Sequence, residues 1–153
     1  MEVDEIHSAR QWQLFRELVE EYGNTRGFSL EFQNFSAELE KLADIYARPS
    51  GSALLAFHKE HACGCVALKR LEQGICEMKR LYVRPSCRGY GLGRQLVERI
   101  MELGQTLGYE RMRLDTLESL TAALHLYRTL GFYEIPRYND NPRPDVRYLE
   151  RRL

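Results

Sequence analysis

One stretch constrains this chain more than any other: residues 77 to 97, Glu-Met-Lys-Arg-Leu-Tyr-Val-Arg-Pro-Ser-Cys-Arg-Gly-Tyr-Gly-Leu-Gly-Arg-Gln-Leu-Val. Its first part, Met78 to Val83, is rich in residues that suit a pleated, half-buried surface. Pro85 ends that run, because proline cannot donate to a ladder. Gly89, Gly91 and Gly93 then occupy alternate positions, and Leu92, Leu96, Val97, Ile100 and Leu103 follow at the spacing of one helical face. A strand, a glycine turn and a helix in that order leave free backbone N–H groups at a helix N-terminus, where the orphan donors and the helix dipole both favour an anion. Lys79, Arg80, Arg84, Arg88 and Arg94 accompany the turn, and no acid lies between residues 78 and 97. The segment is expected to hold an anion carrying two or more phosphates.

Two familiar phosphate loops are excluded. No Gly-x-x-x-x-Gly-Lys-Ser/Thr run exists in the chain. A Gly-x-Gly-x-x-Gly fingerprint fails, since reading from Gly89 or Gly91 its last position falls on Arg94 or Leu96. The surroundings argue for a local anion site. Lys plus Arg equals Asp plus Glu at 22 each, which removes the broad basic surface expected of a nucleic-acid or membrane binder. The longest purely apolar run, Ala53 to Phe57, is far too short to span a bilayer. The acidic start Met-Glu-Val-Asp-Glu-Ile does not resemble a secretion signal. The four cysteines at 63, 65, 76 and 87 lack metal-type spacing. A cytoplasmic protein with reduced thiols and no metal site is expected.

At 153 residues the chain is long enough for one well-buried domain, expected to span 1–153. Residues 1–6 read as a short strand. Ser8 is placed to cap a helix running to about Tyr22, with Trp12, Phe15, Leu18, Val19 and Tyr22 inward and Gly23 as the stop. Residues 24–30 read as a polar loop, and 31–46 as a second helix burying Phe35, Leu39, Leu42 and Ile45. Ala53–Lys59, Cys63–Leu71 and Ile75–Val83 form an antiparallel meander turning at Glu60-His61 and Gln73-Gly74. Arg111–Thr116 follows the glycine turn and its helix, so it should lie parallel to the strand before the turn. A helix over about Ser119–Leu130 ends at Gly131, and Phe132–Ile135 and Val146–Arg152 are the last strands. The expected class is α+β: a mixed, mostly antiparallel twisted sheet of six to seven strands with about four helices and one central parallel pair.

Two segments carry a resemblance. Arg88-x-x-Gly91-x-Gly93 directly after Leu81-Tyr82-Val83 resembles the acetyl-CoA-binding motif of the GNAT superfamily of N-acetyltransferases. Downstream, Ala123-Leu-His-Leu-Tyr127-Arg-Thr-Leu-Gly131-Phe132 is similar to that family's Ala-x-x-Leu-Tyr-x-x-x-Gly-Phe pattern. The Tyr-Asn-Asp-Asn-Pro-x-Pro run from Tyr138 is similar to a variant in small-molecule branches. One position departs: Leu120 stands where many members carry a cofactor-contacting asparagine.

The resemblance implies that acetyl-CoA is the co-substrate. Its pyrophosphate would sit on the amides of Arg88, Gly89, Tyr90, Gly91, Leu92, Gly93 and Arg94. Its pantetheine arm would run beside Leu81, Tyr82 and Val83, where an N–H at Leu81 or Tyr82 would stabilise the oxyanion. Tyr127 would be the general acid toward the departing thiolate. A primary amine of a small molecule, amino acid or peptide would attack directly in a ternary complex. Glu77 is the first candidate for general base and Asp115 the second. Cys76 and Cys87 are weaker candidates as acyl-carrying nucleophiles, having no histidine beside them in sequence. Three readings stay open: this transferase, acting alone or as a homodimer; a non-catalytic acyl-CoA-binding or sensing module of the same fold; and a nucleotide or dinucleotide binder.

Overall fold

The computed structural model describes residues 1–24 and 35–153. Strand β1 (Glu2–Glu5) leads into helix α1 (Ala9–Asn24), followed by two short helices, α2 (Phe35–Glu40) and α3 (Leu42–Tyr46). A meander comes next: β2 (Ser52–His58), β3 (His61–Glu72) and β4 (Ile75–Val83). After a 3-10 turn at Pro85–Cys87, the chain continues through α4 (Leu92–Thr106), β5 (Arg111–Leu117), α5 (Thr121–Thr129), β6 (Tyr133–Glu134) and β7 (Val146–Arg152). The strands form a seven-stranded sheet ordered β1-β2-β3-β4-β5-β7-β6. Only β4 and β5 run parallel, as a connection through a helix requires. The α+β class and its central parallel pair are those expected from the sequence.

Local chemistry explains the main helices. At the start of α1, Ser8 Oγ accepts from the Gln11 N–H at 3.1 Å while Gln11 Oε1 accepts from the Ser8 N–H at 3.0 Å. This reciprocal pair satisfies donors that the first turn leaves orphaned. Helix α4 buries Leu92, Leu96, Val97 and Ile100 against one face of the sheet, together with Leu124 and Tyr127 from α5. The opposite face is covered by α1 and α3, whose Phe15, Leu18, Val19, Leu42 and Tyr46 pack on Leu55, Cys65 and Ala67. Gly131 has φ 93°, a left-handed conformation that ends α5 without the strain a side chain would bring.

Two expectations are corrected. The helix proposed over 31–46 lies outside the described residues at its start. Within them it is split at Lys41, whose φ of −132° and ψ of 26° leave the helical region. The strand proposed over Phe132–Ile135 shrinks to Tyr133–Glu134, since Phe132 turns into the core and only two residues pair with β7. The polar loop proposed for 24–30 is not described beyond Asn24, which closes α1.

The break between α2 and α3 has a purpose that sequence periodicity hides. Glu38 of α2 is buried, and its carboxylate accepts two hydrogen bonds from the Arg80 guanidinium, at 2.7 and 2.8 Å. The rings of Phe35 and Tyr22 lie 5.3 and 6.0 Å from the same guanidinium carbon. Burial alone would raise the Glu38 carboxyl, but the Arg80 hydrogen bonds and charge outweigh it and hold it below the ordinary range. Removing one partner of such a pair strands the other charge in the core, at a cost of about 3–5 kcal/mol. Glu38→Ala should therefore lower Tm by about 10 °C. Because the folded-state value is depressed, the contribution is complete above the unfolded carboxylate value of about 4.3 and lost as pH falls through the depressed one. Thermal melts should show the gap between wild type and variant constant near neutrality and closing below about pH 4; a gap independent of pH would contradict this account.

Candidate active site

The site begins with a defect in strand β4. Its register against β3 shifts between Cys65↔Tyr82 and Ala67↔Lys79, so Val66 alone faces Arg80 and Leu81. Two residues against one is a β-bulge, and Arg80 takes it up with a left-handed φ of 61°. The bulge reverses the strand's alternation. Lys79, Arg80 and Tyr82 face the α1–α3 side, whereas Met78, Leu81 and Val83 face α4. The parallel ladder with β5 covers only Ile75↔Arg111, Cys76↔Met112 and Glu77↔Arg113. Beyond Glu77 the two strands separate, and the β4 edge from Met78 to Val83 borders a slot.

That slot opens into a cleft of about 980 Å³. Leu81, Tyr82, Val83, Arg88, Gly89, Gly91, Leu92, Gly93 and Arg94 line one side of it; Leu117, the start of α5 and Arg143 line the other. Gly91 has φ 76° and is the N-cap of α4, with no acid in the helix's first turn. A Cβ added at Gly91 would meet no atom within 4 Å, so the turn presents bare backbone to open space. The first N–H groups of α4 have no partner within the helix. Together these features make a cradle for an anion.

The sequence-predicted residues fall into three groups. The turn and strand residues named above share the cleft, apart from Tyr90, whose side chain is 72% exposed and does not line it. The surrounding cations are fewer than the sequence suggested. Arg80 is buried against Glu38, and Arg84 bonds the Glu21 carboxylate at 3.1 Å and the Ala62 carbonyl at 2.8 Å. Arg88 and Arg94 remain at the cleft, the first donating to the Val83 carbonyl at 2.9 Å and the second to Glu98 at 2.6 Å. Arg143 joins them from the loop before β7, bound to Asp145 at 3.0 and 3.1 Å. Leu120 lines the cleft as the N-cap of α5 and makes no side-chain cap.

Tyr127 is buried in the α4-side core, edge-on to Phe132 with ring centroids 5.8 Å apart. Glu77 is also buried, on the opposite face of the sheet, and its Oε2 accepts from Tyr138 Oη at 2.6 Å. Asp115 lies on that face of β5, where its Oδ2 accepts from Asn139 Nδ2 at 2.8 Å. Burial lowers the ammonium of Lys79, which the carboxylates of Glu77 and Asp115 counteract. The cleft and the Glu77–Asp115 face thus lie on the two sides of the sheet, and the β4–β5 ladder ends at Glu77.

The cysteines have other surroundings. Cys76 packs under α4, where burial pushes its thiol up to about 12 and denies it the thiolate a nucleophile needs. Cys65 is buried and its thiol is raised still further. Cys87 Sγ sits 2.6 Å from Cys63 Sγ. Sequence reasoning missed Glu38 as the partner of Arg80, and read the loop from Tyr138 as turn-rich and similar to a small-molecule variant without pairing Tyr138 with Glu77 or Asn139 with Asp115. The alternation of β5 was the available signal, because it sets Arg113 and Asp115 on the face that this loop covers.

The chain matches the Acetyltransferase (GNAT) family over residues 12–132. It is 45% identical over 138 residues to an uncharacterised N-acetyltransferase of Schizosaccharomyces pombe, an alignment covering 88% of this chain and 84% of that one. An acetyltransferase from Streptococcus agalactiae shares the fold with a TM-score of 0.81 at 24% identity, over 99% of this chain and 98% of that one. A Bacillus subtilis acetyltransferase solved in complex with CoA shares it with a TM-score of 0.71 at 18% identity, over 99% and 97%. With its bulged β4, the splayed parallel pair and the glycine turn at α4, the chain belongs to the acetyltransferase (GNAT) family of acyl-CoA-dependent N-acyltransferases.

Proposed function

We propose that this chain transfers the acetyl group of acetyl-CoA to a primary amine of a small molecule, amino acid or peptide by direct attack in a ternary complex. The observation that carries this reading is continuity: the anion cradle at Gly91 and the slot between β4 and β5 belong to one cleft. A diphosphate on the cradle leaves a pantetheine arm lying along Leu81–Val83, with its amides facing the β4 edge. The B. subtilis relative in fold binds CoA.

The chain's own groups then divide the work. An N–H at Leu81 or Tyr82, turned by the bulge, polarises the thioester carbonyl and stabilises the developing oxyanion. An acceptor amine has a pKa near ~10 and must lose a proton before or during attack. Glu77 accepts it, directly or through water, with Asp115 as the second candidate. Tyr127 returns a proton to the departing thiolate, whose parent thiol has a pKa of ~8.5. The burial of Tyr127 against Phe132 is the one observation favouring a second reading, a non-catalytic acyl-CoA-binding module.

A thiol-release assay with acetyl-CoA and a panel of amines separates the two readings. Turnover on at least one amine is expected; tight CoA binding without turnover on any would establish the module instead. Gly91→Val should abolish CoA binding by calorimetry, since a branched side chain at positive φ is strained and would occupy the cradle; unchanged affinity would refute the cradle. Tyr127→Phe should cut kcat by about tenfold to a hundredfold with CoA affinity nearly intact, and equal rates would reduce Tyr127 to a packing residue.

A further inference from the structure

The loop between β6 and β7 touches both carboxylates on the face of the sheet opposite α4. Tyr138 Oη donates to Glu77 Oε2 at 2.6 Å, and Asn139 Nδ2 donates to Asp115 Oδ2 at 2.8 Å. Neither contact is loosely held. Asn139 Oδ1 accepts from Tyr148 Oη at 2.9 Å and from the Asn141 N–H at 3.1 Å, which fixes its amide with the donor toward Asp115. The Tyr138 ring stands edge-on to Tyr148 with centroids 5.2 Å apart, and the Arg113 guanidinium carbon lies 5.6 Å from its centre. Arg113 is in turn anchored to Glu150 of β7 at 2.8 Å.

Among the described residues, Glu77 is held through Oε2, and its Oε1 has no hydrogen-bond partner. We propose that Tyr138 is a positioning residue for the transfer reaction: its phenol holds Oε2 of Glu77 and fixes the orientation of the carboxylate that takes the acceptor's proton. The proposal rests on the reading of Glu77 as the base.

The charges around the pair support this assignment. Glu77 is faced by Lys79 from its own strand, by Arg113 and Asp115 from β5, by Tyr46 from α3 and by Tyr138 from the loop. Glu38 and Arg80 act on Lys79 from beyond, already paired with each other. Burial raises the Tyr138 phenol far above its ordinary range, and the charge of Glu77 raises it further. It therefore stays protonated at working pH and serves Glu77 only as a donor.

Tyr138→Phe tests this, because it keeps the ring against Tyr148 and Arg113 and deletes only the donor. Without the donor the Glu77 carboxylate loses its fixed orientation, so kcat should fall by about tenfold to a hundredfold. The KM for the acceptor amine, the acetyl-CoA affinity and Tm should stay near wild type, a split that loss of packing would not give. An unchanged kcat in Tyr138→Phe, with Glu77→Gln inactive, would overturn the role of Tyr138 and leave Glu77 as base. Full activity of Glu77→Gln would instead overturn the base reading, and this proposal with it.

Discussion

The buried ion pair between Arg80 and Glu38 is the contact on which the rest of this structure depends. A non-glycine residue in the left-handed region costs free energy that its surroundings must offset. Here the offset is visible: two short charge-assisted hydrogen bonds in a pocket walled by Phe35 and Tyr22. The pair joins α2 to the middle of β4 and holds one extra residue in that strand. Once the bulge is set, β4 cannot stay alongside β5, and the parallel ladder stops at Glu77. The slot that distinguishes this sheet from a closed one follows directly.

The bulge also divides the chemistry between two faces. Toward α4 it turns Leu81 and Val83, which with the glycine turn make an apolar channel ending in bare amides. Toward α1–α3 it leaves Glu77, Lys79 and Arg80 among carboxylates and phenols. An anionic, extended ligand suits the first face, and a group that must give up a proton suits the second. Zero net charge overall is compatible with this arrangement, since the attraction needed at the cradle comes from oriented N–H groups with Arg88, Arg94 and Arg143 nearby.

Much of this was legible from residue order. The strand Ile75–Val83 and the last strand Val146–Arg152 were read to the residue, because turn glycines and prolines punctuate both. The inward face of α4 followed from its apolar spacing. Arg80 was misassigned to the anion site, because strict alternation does not anticipate a bulge, and one extra residue sends every later side chain to the other face. Lys79, before the bulge, lies on the α1–α3 face by ordinary alternation and was misassigned on charge alone. The single helix expected over 31–46 failed at Lys41 for a related reason. An apolar stripe registers burial, but Glu38 is buried by a charge partner 42 positions away.

The chain's order alone determined the sheet's composition, the parallel central pair and the glycine cradle. Each depends on local properties: β-propensity, the need for a helical crossover, and the freedom of glycine at positive φ. Tertiary structure decided which carboxylates are held, by which donors, and where β4 leaves β5. Those outcomes arise from contacts between residues far apart in sequence, Glu38 with Arg80, Glu77 with Tyr138, Asp115 with Asn139. No local pattern encodes such pairings; they exist only once packing has brought their partners within hydrogen-bond reach.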